Sequence, residues 1–286
     1  MEHPPREVIL MLIKIDWLSF SIPMDTSKME TEQDAPAQVI TSLEHLQPNL
    51  PEWLSMGDEY EVRNGRAPYR TSWHRADGGL TVFSHPVLSH ALIEISGRGC
   101  DRLQTSATLE QVLSAVTSRI TRIDIACDIL TNERPKEWAE DRHIGRFTSH
   151  SYVTSESGQT FYVGAKTSDR YARVYRYSAP HERSHLLRVE YVIKAENAKI
   201  MADAILSQGM RPVVASLWDT FGWNRGKDDL DPTAAEIATY RPDRREGKTL
   251  FWLADTIAPL LARLHKEAVI DLDVWVNENV RTKLKD

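Results

Sequence analysis

The run RIDIACD, residues 122–128, lies inside an apolar segment, 120–130, that is rich in β-branched residues. Such a segment predicts a strand, in which successive side chains point to opposite faces. The apolar side chains share one face and the aspartates the other: Ile123, Ile125 and Cys127 against Asp124 and Asp128. Burial of a carboxylate in an apolar strand is unfavourable without a partner or a metal ion. The run therefore predicts a sheet with one apolar face and one face that carries carboxylates.

Three further segments show the same alternation when they are read as strands. Their polar positions, each set on one face, are His90 and Glu94, then Arg173, Tyr175 and Tyr177, then Arg188 and Glu190. If these strands are neighbours, a single face gathers carboxylates, arginines, tyrosines and a histidine. Such a face can hold a hard divalent ion, supply a tyrosine nucleophile and stabilise charge that develops at phosphorus. The alternative is a solvated face with cross-strand ion pairs.

Strand-like and helix-like segments alternate along the chain to about residue 210. Strands are predicted at 13–22, 80–83, 91–96, 120–130, 160–163, 172–177 and 186–194, and helices at 35–46, 109–119 and 195–206. Beyond Gly209 two amphipathic segments, 213–223 and 249–266, predict helices. Residues 1–10 have paired prolines and no periodicity, which predicts a disordered leader. The chain thus divides into this leader, a main domain at 11–210 and a helical C-terminal region at 211–286.

The composition is that of an ordinary soluble protein, with 41% apolar and 27% charged residues. Cys100 and Cys127 have neither the spacing of a zinc site nor a framework of pairs, which favours a reducing compartment. No apolar segment approaches the ~20 residues that span a membrane. We therefore expect a cytoplasmic protein without membrane contact.

The net charge of −6 argues against a protein that coats nucleic acid through an overall positive potential. Two local segments differ from this average. Residues 161–188 are basic, and a second stretch places Arg63, Arg66, Arg70 and Arg75 around Tyr69 and Trp73. Cations interleaved with aromatic rings suit a single DNA strand, whose phosphates need charge and whose bases need stacking surfaces. The alternative is that these arginines cover solvated strand faces.

Six segments, in order along the chain, carry a resemblance to a known family. They are DWLSF (16–20), IEISGRGC (93–100), RIDIACD (122–128), TFYVGAKTSD (160–169), RVY (173–175) and RVE (188–190). Together they resemble the replication-initiation-factor family over roughly residues 13–200. That family includes initiators of rolling-circle plasmids, replication proteins of filamentous phages and related relaxases of conjugative elements.

The resemblance implies an α+β fold with a strongly curved antiparallel sheet and helices packed on one face, to which this chain adds the small helical C-terminal region. It also implies a divalent ion, Mg²⁺ or Mn²⁺, held by acidic residues. Carried onto this sequence, the ligands are Asp124 and Glu190, with Glu94 and Asp128 as additions. The chain has no His-x-His motif, so this metal site rests on carboxylates.

The resemblance also implies a tyrosine nucleophile, which corresponds to Tyr175 in the segment that begins with the catalytic cation Arg173. The family often has a lysine two residues after that tyrosine, whereas this chain has Tyr177. Tyr177 therefore stays open as an alternative nucleophile.

The function implied by the resemblance is rolling-circle initiation by the domain at 11–210. One strand of a phage or plasmid origin is nicked, the 5′ end is kept as a phosphotyrosine, and the 3′ hydroxyl primes synthesis. The partner is origin DNA with a single-stranded or cruciform nick site, contacted by Lys166, Arg170, Arg176 and Arg188. A host helicase and a second copy of the chain are further expected partners. Two alternatives stay open: a relative that binds DNA as a regulator without cleaving it, and an unrelated structural protein.

Overall fold

The computed structural model describes residues 11–25, 38–39, 41–42, 60–76, 78–103, 106–145, 149–155, 158–176, 186–224 and 236–237. Its strands are β1 (Met11–Pro23), β2 (Tyr60–Asn64), β3 (Thr71–Arg75), β4 (Leu80–Ser84), β5 (His90–Ser96), β6 (Ile120–Leu130), β7 (His150–Ser155), β8 (Gly158–Val163), β9 (Arg170–Arg176), β10 (Leu186–Lys194) and β11 (Glu236–Ile237). Its helices are α1 (Arg98–Leu103), α2 (Ser106–Val116), α3 (Pro135–Arg142), α4 (Ala195–Gln208) and α5 (Met210–Thr220), with a 3₁₀ turn at Thr117–Arg119. These elements belong to one compact unit, Leu10–Tyr240.

The strands form one sheet in which the segment predicted at 120–130 is central. The order is β2-β3-β4-β5-β1-β6-β10-β9-β8-β7, and all of these neighbours are antiparallel. The short strand β11 adds a parallel pair to β1. The α+β class and the antiparallel sheet are therefore confirmed. The edge strands β2 and β7 were missed because almost all of their residues are exposed, so they lack the alternation that marks a half-buried strand.

The expected strong curvature of the sheet is wrong. A sheet curls sharply where bulges insert extra residues and increase the local twist. Among the described strand pairs, register shifts occur only between β1 and β6, at Ile15/Trp17 and at Ser19/Phe20. The other pairs keep a continuous register, so the sheet is not strongly curled.

The apolar face of the sheet holds the core. Ile123 and Ile125 of β6 and Tyr191 of β10 have no exposed surface, and full burial of such a side chain stabilises a fold by about 1.5–3 kcal/mol. Helix α4 packs on β6 and β10. The ring of Phe221, directly after α5, lies 5.2 Å from the ring of Tyr191. The opposite face of β6 carries its two aspartates.

The C-terminal part of the described chain begins as predicted, with helix α5 at Met210–Thr220. The short strand Glu236–Ile237 lies inside the region that was expected to be helical. The predicted leader at 1–10 and the predicted helix at 249–266 lie outside the described residues. The division at residue 210 stays a prediction. No helix in the described ranges is both long enough and apolar enough to cross a membrane.

Candidate active site

The polar face of the sheet follows from the strand register, because residues opposite each other on antiparallel strands lie on the same side. Four rows of side chains cross its middle. Each row runs across neighbouring strands. The first contains Thr160, Tyr175, Arg188 and Asp128; the second contains Tyr162, Arg173, Glu190 and Ala126; the third contains Tyr171, Val192, Asp124 and Trp17; and the fourth contains Lys194, Arg122, Ser19 and Glu94. Glu94, Asp124, Arg173, Tyr175 and Glu190 therefore share one face, as strand parity predicted.

Two buried carboxyl groups, Asp124 and Glu190, lie in adjacent rows at the centre of this face, and we call them the carboxylate pair. Their relative exposures are 0% and 1%. Arg122 donates Nε and Nη2 to Asp124 at 2.8 and 2.6 Å, and Arg173 binds Glu190 in the same way at 2.9 and 2.6 Å. The two carboxyl groups also share a hydrogen bond. Each buried group thus has a bidentate arginine that offsets its loss of hydration.

The contact within the carboxylate pair separates the two pKa values. Burial and the charge of Glu190 together raise the pKa of Asp124 to about 7, against the opposing effect of Arg122. Burial also acts to raise the pKa of Glu190, but hydrogen bonds from Arg173, from a tyrosine and from the other carboxyl group outweigh burial and lower it. Of the two carboxyl groups, Glu190 therefore has the lower pKa and loses its proton more readily.

Tyr175 supplies the third hydrogen bond to Glu190. Its hydroxyl donates to Oε2 of Glu190 at 2.5 Å. Burial, followed by the charge of Glu190, raises the pKa of the phenol, so the hydroxyl keeps its proton. A hydroxyl in direct contact with an ionised carboxylate is the arrangement of a nucleophile with its general base. The competing residue, Tyr177, lies outside the described residues.

A second charged group, the Arg188 cluster, consists of Arg188, Asp128, Asp16 and Lys14. Arg188 is 1% exposed. It binds Asp128 through Nε and Nη2 at 2.6 and 2.8 Å and Asp16 through Nη1 at 2.8 Å. Lys14 lies 3.5 Å from Asp16. The predicted DNA contact by Arg188 does not fit this arrangement, because the guanidinium is buried and its charge is neutralised within the protein.

The four predicted metal ligands do not converge on one point. Asp128 is bound by Arg188, and Glu94, 7% exposed, is bound by Arg66. In the part of the chain that the structure describes, no three His, Cys, Asp or Glu residues form a group that could hold a metal ion. By donor chemistry alone the carboxylate pair matches a hard divalent cation, since Mg²⁺ is usually held by one or two carboxylates and completes its shell with water and phosphate oxygens. Both carboxylates are bound by arginines in this structure.

The other residues that were predicted to contact DNA differ in how exposed they are. Lys166 is exposed in the turn between β8 and β9, and Arg170 is exposed at the first position of β9. Arg176 is half-buried, and its guanidinium donates to the backbone oxygens of Thr131 and Glu133. Trp73, expected beside a DNA strand, is 5% exposed and donates Nε1 to the Ser84 hydroxyl at 3.1 Å. We conclude that part of this basic and aromatic inventory stabilises the fold.

Arg122 and Asp16 are among the residues of this face that were missed in the sequence. Arg122 shares strand parity with Asp124, so the same two-residue period would have found it. Asp16 could not be found in this way, because the register of β1 shifts between Ile15 and Trp17. A shift of this kind changes where a side chain is aimed.

The fold has a known counterpart among solved structures. The rolling-circle replication initiator protein from Geobacillus stearothermophilus matches with a TM-score of 0.51 at 19% sequence identity, over 80% of this chain and 93% of that chain. The chain has the fold of a rolling-circle replication initiator. The initiator fold confirms, at the level of architecture, the resemblance carried by the six short segments.

The other comparisons add no argument about the initiator fold. A C-terminal regulatory domain of aspartate kinase from Porphyromonas gingivalis W83 reaches a TM-score of only 0.16 at 9% identity, over 71% of this chain and 96% of that chain. No known family profile matches the sequence. No curated protein matches it either.

Proposed function

We propose that this protein starts replication by nicking one DNA strand at an origin and holding the 5′ end on Tyr175. The observation that carries the proposal is the hydrogen bond of 2.5 Å from the Tyr175 hydroxyl to Glu190. Arg173 contacts the same carboxylate. A nucleophile, a proton acceptor and a cation therefore lie within reach of one phosphate. The likeness in fold to a rolling-circle replication initiator supports the proposal.

The proposed reaction exchanges one phosphate ester for another. The phenolic oxygen of Tyr175 attacks the scissile phosphorus, and its proton passes to Glu190. The bond from phosphorus to the 3′ oxygen breaks, and that oxygen takes a proton from water. The products are a 5′-phosphotyrosine and a free 3′ hydroxyl that primes synthesis. The reverse reaction rejoins the ends after a round of replication.

Arg173 is the cation that would stabilise charge on the phosphate. Its side chain is 31% exposed although the carboxylate that it binds is 1% exposed. The guanidinium can therefore touch a phosphate while it still holds Glu190. A donor that is already in place needs no reorganisation as negative charge develops at phosphorus.

Mg²⁺ or Mn²⁺ would be held by the carboxylate pair. When bound there, the ion would polarise the scissile phosphate as a Lewis acid. Origin DNA, presented as a single strand or a cruciform, would be the partner. Lys166 and Arg170 are the exposed cations that would contact its backbone.

A second candidate is a DNA-binding relative that regulates replication or transcription without cleaving. Two observations favour it. The carboxylates at the centre of the face, Asp124 and Glu190, already have arginine partners, and burial raises the pKa of the Tyr175 phenol. Such a face could bind a strand and leave it intact.

One experiment separates the two functions. Supercoiled DNA with the origin of the protein's own replicon is incubated with the protein and Mg²⁺ or Mn²⁺, and EDTA replaces the ion in a parallel sample. Relaxed DNA with a protein adduct that survives denaturation supports the nicking enzyme. Bound but unrelaxed DNA supports the regulator and contradicts the first proposal.

A further inference from the structure

The rows of the polar face give the candidate site a direction along the strands. Tyr175 lies in the first row, Glu190 in the second, Asp124 in the third and Arg122 in the fourth. Neighbouring rows are two residues apart along a strand, which is about 7 Å. The row of Arg122 therefore lies beyond Asp124, on the side of the site away from Tyr175.

Trp17 and Arg122 form a contact at that end of the site. The guanidinium carbon of Arg122 lies 4.8 Å from the centre of the Trp17 ring, and the register places Trp17 opposite Asp124. Trp17 is half-buried, and the Arg122 side chain is 28% exposed. The face thus offers a large aromatic ring and a cation that both reach solvent next to the carboxylate pair.

The donors of Arg122 are only partly used. Asp124 takes Nε and Nη2, while Nη1 has no hydrogen-bond partner among the described residues. Lys194, opposite Arg122 in the same row, adds a second half-buried cation. An aromatic ring with adjacent cations is what a nucleotide in a single strand requires, because the base needs a stacking surface and its phosphate needs charge.

We propose that Trp17 and Arg122 form a binding subsite for the nucleotide immediately 5′ of the scissile phosphate, with the base on Trp17 and the backbone on Arg122. The inference rests on the proposed nicking function. In an in-line displacement, the attacking and leaving oxygens lie on opposite sides of phosphorus. With Tyr175 attacking from the first row, the leaving 3′ oxygen points towards the rows of Asp124 and Arg122. The nucleoside that carries this oxygen then lies over Trp17.

The test removes bases from the DNA rather than side chains from the protein. Once the cleaved phosphate has been mapped, single-stranded oligonucleotides with one abasic position are scanned across three nucleotides on each side of it. Affinity is measured by fluorescence anisotropy in EDTA, and adduct formation is measured with Mg²⁺. For the unmodified protein we expect the largest loss of affinity, about 5- to 150-fold, at the nucleotide directly 5′ of the cleaved phosphate.

The variant Trp17→Leu links that loss to the tryptophan. In this variant, removal of the same base should change affinity less than about twofold, because the stacking partner is already absent. Tyr152→Leu is the matched control, since Tyr152 is an aromatic residue that is 39% exposed on the edge strand β7. Its abasic profile should equal that of the unmodified protein. Thermal melting shows whether each variant is folded. The abasic scan of the unmodified protein tests the subsite even if a variant does not fold.

Four results overturn the subsite. The first is a profile with its largest loss on the 3′ side of the cleaved phosphate. The second is an equal loss in the unmodified protein and in Trp17→Leu. The third is the absence of an adduct with any strand, which contradicts the proposed function and the subsite with it. An adduct with a flat abasic profile contradicts the subsite alone.

Discussion

The carboxylate pair and the Arg188 cluster contain the same residue types on the same face of the sheet. They differ in which charge is buried, since it is the carboxylates in the pair and the arginine in the cluster. In the pair, the carboxylates are 1% exposed and their arginines are 28% and 31% exposed. In the cluster, the Arg188 side chain is 1% exposed, while Asp128 and Asp16 are 11% and 19% exposed. Arginines that reach solvent can contact an incoming phosphate. A buried arginine held by two carboxylates is a fixed part of the fold, so exposure distinguishes a candidate site from its support.

The largest expected effect concerns the nucleophile. Tyr175→Phe should reduce the covalent protein–DNA adduct by about three orders of magnitude or more, because the change removes the attacking oxygen with little change in volume. Tyr177→Phe should retain the adduct. Denaturing gels with labelled origin DNA measure both, and Tyr152→Phe is the control for an exposed tyrosine outside the site. Adduct that persists in the first variant and disappears in the second would move the role to Tyr177.

Asp124→Asn tests whether the carboxylate pair does more than stabilise the fold. We expect nicking to fall by about 100-fold or more, since an amide cannot become the carboxylate ligand of the proposed metal site. Affinity for DNA should change little, because phosphate contacts by cations supply most of it. Nicking and gel-shift assays at the same salt concentration provide the comparison. An equal loss of both activities would assign Asp124 a purely structural role.

A substitution in the Arg188 cluster should instead lower the stability of the fold. Arg188→Gln leaves two carboxylates without their buried cation, so we expect the free energy of unfolding to fall by about 3 kcal/mol. Urea denaturation measures this change. Unchanged stability combined with weaker DNA binding would mean that Arg188 contacts DNA after all.

The smallest effects are expected at the exposed cations. Lys166→Gln and Arg170→Gln should each weaken DNA binding severalfold and lower the salt dependence by about one charge. Their free energies of unfolding should stay within about 0.5 kcal/mol of the unmodified protein, because neither side chain is buried. Anisotropy titrations at several salt concentrations test the first expectation. A constant salt slope would exclude both residues from the interface.

Much of the candidate site could be predicted because it depends on the two-residue period of strands. That period grouped Arg173 with Tyr175 and set Asp124 and Glu190 on the polar sides of their strands. Their position on one common face followed from the assumption that these strands are neighbours in one sheet. The two-residue period could not show which carboxylates lie next to each other in the folded sheet. Glu94 has the correct parity, but its partner, Arg66, comes from the turn between β2 and β3.

Other features depend on tertiary contacts that no local pattern reports. The hydrogen bonds of Arg176 to backbone oxygens and the burial of Arg188 depend on distant residues, so both arginines were expected at the DNA. Asp16 joins Arg188 across 172 positions of sequence through a register shift in β1. The expected curvature came from a family resemblance, whereas the described strand pairs of this chain keep a continuous register except between β1 and β6, and the sheet is not strongly curled.

Mass spectrometry of the covalent adduct tests the proposed nucleophile most directly. The protein is incubated with origin DNA and Mg²⁺ or Mn²⁺, the DNA is trimmed with nucleases, and the protein is digested to peptides. We expect one modified peptide in which Tyr175 carries a 5′-linked nucleotide phosphate. A nucleotide on another tyrosine, or nicked DNA without any modified peptide, would contradict this expectation.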